Sequence, residues 1–170
     1  MIEVQNLTRI FRTYKKQPGF WGGVRGLFKR EFEETAAAKD CTFSIGEGEF
    51  VVFVGVNGAG KTTTLKMLCT LLAPTGGSAT VAGRDLRQDS VGVRRKIGYV
   101  SQAGSTSPEA VVGDEIISHA QLYGIDRATA TARGKELLAA LDLSDVWSRT
   151  CGSLSGGQRR RLDIVMGLIH

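Results

Sequence analysis

The chain has 170 residues, 42% hydrophobic and 23% charged, a composition that suits one ordinary globular domain and argues against a disordered polypeptide. Twenty-two basic and 17 acidic residues leave a net charge of +5, which suits an anionic ligand or a membrane surface and does not by itself point to nucleic acid. Three scattered cysteines, Cys41, Cys69 and Cys151, have no CxxC spacing and read as reduced thiols of a cytosolic protein; the early Glu3 argues against a signal peptide, and no window approaches the roughly 18 apolar residues of a spanning helix.

In chain order, residues 2–7 alternate weakly and predict a first strand. Residues 9–30 carry seven basic side chains and no acid. Within them Phe20, Trp21, Val24, Leu27 and Phe28, continued by Phe32, recur at helical steps. This basic-aromatic insertion, 14–35, is either a contact with a membrane surface or an edge segment packed on its own domain, and its glycines weaken the helix. Cys41, Phe43 and Ile45 alternate with polar residues and predict a strand. Residues 46–49 make a turn into the all-apolar run Phe50–Val54, which predicts a buried parallel strand.

That run enters Gly55-Val56-Asn57-Gly58-Ala59-Gly60-Lys61-Thr62-Thr63, which matches GxxxxGK[ST]. Such a loop turns backbone N–H groups around an anion, and the helix behind it adds a partly positive N-terminus. Lys61 would reach the β- and γ-phosphates, and Thr62 would ligate Mg²⁺. Leu65, Leu68, Cys69 and Leu72 predict the buried stripe of that helix, which Pro74 ends. A short strand is expected at 79–81 and another at 97–100, before Gln102. Val112, Ile116, Ala120 and Tyr123 predict one helix, and Leu137, Leu138 and Leu141 a second, with Gly124 and Asp126 between them. Neither internal repeats nor low-complexity tracts are visible.

A second motif follows at Leu154-Ser155-Gly156-Gly157-Gln158. Ser155 stands at an N-cap position and two glycines expose the first N–H groups, so this is a second anion-receptive helix start about ninety residues after the first. One nucleotide does not need both. Two chains arranged head-to-tail would use them, each offering its second start to the other's γ-phosphate.

Over its whole length the sequence resembles the ATP-binding cassette (ABC) ATPases, the motor subunits of ABC transporters. The loop at 55–63 is similar to the family's Walker A, and residues 154–158 match its signature motif in all five letters. The resemblance implies an α/β P-loop NTPase with a RecA-like core, an N-terminal antiparallel β-subdomain and a helical signature subdomain, here incomplete at its C-terminal side. The corresponding boundaries are 1–105 for β-subdomain and core and 106–165 for the helical part. It implies ATP and Mg²⁺ as ligands, Gln102 as the Q-loop glutamine that meets Mg²⁺ and the attacking water, and Phe11 as the aromatic that stacks on adenine. Tyr14 is the rival for that last role, and either ring could instead be core. It further implies a head-to-tail dimer, a separate transmembrane permease, a place on the cytoplasmic face of the membrane, and no nucleic-acid partner. The stretches 112–124 and 152–163 look like the drug- and antibiotic-export branch, whereas the 14–35 insertion is similar to that of polysaccharide exporters; a lipid exporter is a further alternative.

The family pattern continues past the signature helix to a strand ending in Asp-Glu and then to a histidine. Neither occurs before His170. Asp163, with Arg159 and Arg160 one turn before it, is expected in a surface ion pair, and Asp142 at a helix end. His119 is expected to be an ordinary helix residue, and His170 precedes the position of the family's histidine. The expectation is a truncated chain, or a natural nucleotide-binding module, that binds ATP weakly at most and does not turn it over.

Overall fold

The computed structural model describes residues 1–14, 32–102, 104 and 106–170, and these form two compact units, Met1–Ile97 and Gly98–His170. Most of the 14–35 insertion lies outside the described residues.

The first unit is an antiparallel sheet with two helices. Strand β1 (Ile2–Tyr14) is its spine, pairing with β2 (Phe32–Ile45) on one side and β3 (Gly76–Val81) on the other; β4 (Arg84–Asp85) completes the order β2-β1-β3-β4. Ile2 faces Ile45 in one register and Val81 in the other. The predicted strands at 2–7, 41–45 and 79–81 are therefore present, each longer than its apolar pattern. Helices α1 (Lys61–Leu68) and α2 (Ser90–Arg94) belong to this unit, and its core gathers Val4, Leu7, Met67, Leu68, Val81 and Val93. Asp89 caps α2 by accepting the Gly92 N–H at 2.9 Å.

Two expected strands are absent. Residues 50–56 and 97–100 carry no strand pairing, and Phe50 and Val54 are 93% and 89% exposed. A parallel strand buried on both faces needs a neighbour along each edge and a layer over each side. The run 50–54 has neither among the described residues, and Phe53 alone is half-buried, edge-on to the Phe43 ring at 5.4 Å. The buried stripe of α1 also differs from expectation. Thr64, Met67 and Leu68 face inward and Leu65 is exposed, because the sheet takes the side of the helix that Met67 occupies.

The second unit is helical, as its sequence predicts. Helix α3 (Val112–Leu122) buries Val112, Ile116 and Ala120 completely, although Tyr123 stays half out. Gly124 turns the chain at φ 79, and Asp126 caps α4 (Arg127–Ala140) by accepting the Ala128 and Thr129 N–H groups at 2.9 and 3.0 Å. A 3₁₀ turn, Cys151–Ser153, leads to α5 (Gly156–Leu168), whose Leu162, Val165 and Met166 close the core with Ile169 just beyond the helix end.

Candidate nucleotide site

The loop 55–63 is set by backbone geometry. Gly58 and Gly60 have φ of 85° and 83°, the left-handed region, and the Ala59 N–H donates to the Val56 carbonyl at 3.2 Å. Gly60 is the N-cap of α1, and no side chain caps the helix. Asn57 and Ala59 are exposed, Thr62 lies exposed in the first turn, and Thr63 is half-buried. Lys61 folds back over the loop, donating from Nζ to the carbonyls of Gly55 at 2.6 Å and Val56 at 2.7 Å. An uncapped helix start, with an ammonium held beside it, is a donor set for phosphate. An open groove of about 600 Å³ beside it is lined by Lys61, Thr62, Leu65 and the apolar run 50–53.

Magnesium fits only in company. Among the described residues no group of three or more His, Cys, Asp or Glu side chains could hold a metal. Thr62 in the first unit and Gln102 in the second each carry a neutral oxygen, the kind a hard cation accepts when phosphate and water supply most of its ligands.

The second motif lies in the second unit. Leu154 is buried and anchors the turn. Ser155 Oγ accepts the Gln158 N–H at 3.2 Å, and Gln158 Oε1 accepts the Ser155 N–H at 3.0 Å, a reciprocal capping box. Nothing lies within 4 Å of where a Cβ on Gly156 or Gly157 would stand, so the approach to this helix start is open. The preceding turn is tied by Arg149, which donates to the Ser153 carbonyl at 2.9 Å.

The remaining candidates fall as follows. Phe11 on β1 is 39% exposed, with the Arg9 guanidinium 4.7 Å from its ring centre; Tyr14 is 41% exposed, edge-on to Phe32. Neither ring is core, since the outer end of β1 carries no covering layer among the described residues. Gln102 is exposed in a turn of the second unit, while Lys61 and Thr62 belong to the first. Asp142 is exposed at the end of α4, 3.8 Å from Arg161. His119 is half-buried, its pKa lowered by burial and by nearby His170. Tyr123 touches both histidines, stacked on His170 at 4.2 Å. Cys69, expected on the buried stripe, is half-buried, and burial raises its thiol pKa.

Asp163 corrects an expectation. It pairs with Arg160 at 3.7 Å, yet its side chain is only 5% exposed. Its spacing of three from Met166 and four from Gly167, both buried, is the signal that would have placed it inward. Sequence reasoning also missed that Arg160 Nη1 donates to the Ser101 carbonyl at 2.7 Å, next to Gln102. No helical period predicts a contact across 59 residues.

The family model for ABC transporters matches residues 38–170. The chain is 38% identical over 148 residues to the doxorubicin resistance ATP-binding protein DrrA of Mycobacterium tuberculosis, covering 86% of this chain and 44% of that protein. It is 33% identical over 168 residues to the human phospholipid-transporting ATPase ABCA3, covering 99% of this chain and 9% of that protein. The chain thus spans less than half the length of these curated relatives. Among solved structures, MJ0796, a bacterial ABC transporter cassette in dimeric form, superposes with a TM-score of 0.75 at 25% identity, over 99% of this chain and 69% of that one. The fold is therefore the α/β P-loop NTPase fold of ABC cassettes, and the chain belongs to the ABC transporter family, on its ATP-binding side.

Proposed function

We infer that the chain binds MgATP as the ATP-binding subunit of an exporter, coupling nucleotide binding and hydrolysis to transport through a separate membrane-spanning partner. One observation carries this most: two anion-receptive helix starts, at α1 and α5, stand in separate compact units of one chain. The assembly that uses both is a head-to-tail dimer, with α5 of each copy closing on the nucleotide held at α1 of the other; the dimeric form of the similar cassette MJ0796 supports it. Lys61 and the N–H groups of Gly58, Gly60 and Thr62 would hold phosphate, Thr62 and Gln102 would meet the metal, and Phe11 would stack on adenine, worth about 1 kcal/mol. When bound, Mg²⁺ would supply charge neutralisation for phosphate and a site for the attacking water. No helix of the described residues is long and apolar enough to cross a membrane, so attachment to its cytoplasmic face would run through the partner.

Drug-like cargo is favoured by the likeness to the doxorubicin resistance protein, and lipid cargo is the second reading, on the likeness to the phospholipid transporter. A polypeptide of residues 1–170 taken alone is expected to bind ATP weakly and not to turn it over, because its described carboxylates include no Asp-Glu pair on a strand after α5. The test uses the longest natural chain carrying these residues, together with its partner. Lys61→Ala should weaken ATP binding at least about tenfold. Ser155→Arg should spare binding by a single copy and abolish nucleotide-dependent dimerisation and turnover. Unchanged affinity in the first variant, or turnover surviving in the second, would overturn the assignment; ATP-driven uptake instead of efflux in vesicles would overturn the direction.

A further inference from the structure

The segment bearing Gln102 is fastened to α5 by a device that neither motif requires. Arg160 Nη1 donates to the Ser101 carbonyl at 2.7 Å and lies 3.7 Å from Asp163 Oδ2. Asp163 is buried, on the α5 face that also carries Met166 and Gly167, and an ionised carboxylate in such a place is stable only when paired. The segment folds onto the same carboxylate. Gly104 sits at φ 83, and a Cβ built there would stand 3.9 Å from Asp163 Oδ2; Ser101 Oγ donates to the Gly104 carbonyl at 3.2 Å. Asp163 thus fixes the guanidinium, and the guanidinium fixes a carbonyl adjoining Gln102. Arg160 and Asp163 are the fifth and eighth residues after Ser155, on the helix whose N-terminus is the second anion-receptive start. All these groups belong to the second unit.

We propose that Arg160 and Asp163 are positioning residues that hold Ser101 and Gly104 against α5, so that the orientation of Gln102 is tied to the helix that meets the partner copy's nucleotide. This rests on the function proposed above for Gln102. The arrangement needs no contact between Arg160 and nucleotide. The guanidinium is half-exposed and its reach is taken up by Ser101, whereas Ser155 and the two glycines face the open end of the helix. A shift of α5 along its axis would carry Arg160 with it and draw on the carbonyl one residue before Gln102. Loss of either charged partner weakens the hold on Ser101: Arg160→Met removes the donor, and Asp163→Asn removes the charge that fixes it.

Two measurements test this. In the nucleotide-free protein, hydrogen exchange of the amides at 101–104 is compared between wild type, Arg160→Met, Asp163→Asn and Arg160→Lys, with the Ile116 and Ala120 amides of α3 as the control. Exchange at 101–104 should rise about tenfold in the first two variants, less in Arg160→Lys, with the control unchanged. Unchanged exchange at 101–104, or an equal rise in α3, would overturn the proposal. In the complete transporter, Arg160→Met should lower kcat and leave the KM for ATP within about twofold, and should add nothing in a Gln102→Ala background. Independent, multiplying effects of the two changes would show that Arg160 does not act through Gln102 and would overturn the proposal while leaving the site intact. A Gln102→Ala change without effect on turnover would instead remove the assigned role of Gln102, and the positioning claim with it.

Discussion

Gly58 and Gly60 adopt nearly the same φ, so an alanine at either site carries the same left-handed strain, roughly 1–2 kcal/mol. Their surroundings differ. A Cβ on Gly58 meets nothing within 4 Å, whereas on Gly60 it would stand 2.4 Å from the Ala37 carbonyl oxygen of β2. That neighbour is backbone in a paired strand and cannot rotate away. Gly60→Ala therefore adds an overpacking cost of about 1–3 kcal/mol to the strain. The expected loss is about 1–2 kcal/mol for Gly58→Ala and about 2–5 kcal/mol for Gly60→Ala. Native-state hydrogen exchange of the β1 and β3 amides reads opening of this unit alone. Their exchange should quicken about 5–30-fold in the first variant and more than about 30-fold in the second. Equal effects would refute the claim that the loop is held by close approach to β2, and would leave dihedral strain as the only role of Gly60.

Two further outcomes concern the helical unit. A Cβ on Gly113 would stand 2.5 Å from Trp147 Cε2, so Gly113→Ala should destabilise this unit by about 1–3 kcal/mol, seen as a lowered melting temperature and a changed near-ultraviolet signal from Trp147. The Asp126 carboxyl is held below the usual carboxylate range by the Thr129 hydroxyl at 2.6 Å and by the Thr129 and Ala128 N–H groups. A folded-state pKa below the unfolded one gives stability that is present above the unfolded value, about 3.9, and lost as pH falls through the folded value. The melting temperature should therefore fall as the pH is taken below about 4, and Asp126→Asn should flatten that part of the profile. An unchanged slope in the variant would count against Asp126 as the titrating cap.

How much of this was legible depends on whether a signal was local. The capping box of α5 is written in Ser155 and Gln158 at a spacing of three, and the cap of α4 in Asp126 after Gly124. The loop 55–63 needs only its glycines and Lys61. Burial is a property of neighbours. The run 50–54 reads the same whether a sheet covers it or not, and the sequence pattern had no means of predicting that Phe50 would stand exposed. In α1, eight residues are too few for a period to choose between faces, so the apolar pattern points Leu65 inward where Thr64 and Met67 lie. The charge of Asp163 points to the surface, whereas its helical position points inward. A partner three residues earlier made the buried site tolerable.

The two helix starts, read as one function, are built by opposite means, and the difference bears on how each could meet an anion. At α5 the first-turn N–H of Gln158 is already satisfied by Ser155 Oγ, so the helix is stable by itself and the serine proton remains available to an acceptor on the open side. At α1 no side chain caps the helix, which forgoes roughly 0.5–2 kcal/mol of stability. The Lys61 ammonium is meanwhile bound to two loop carbonyls. A phosphate at α1 would supply the missing acceptor for the open N–H groups and a counter-charge for Lys61 together. Ligand binding and local folding are therefore coupled at α1 and nearly independent at α5. On the proposed function, α1 is the start that should gain order when nucleotide arrives, and α5 should present the same surface before and after.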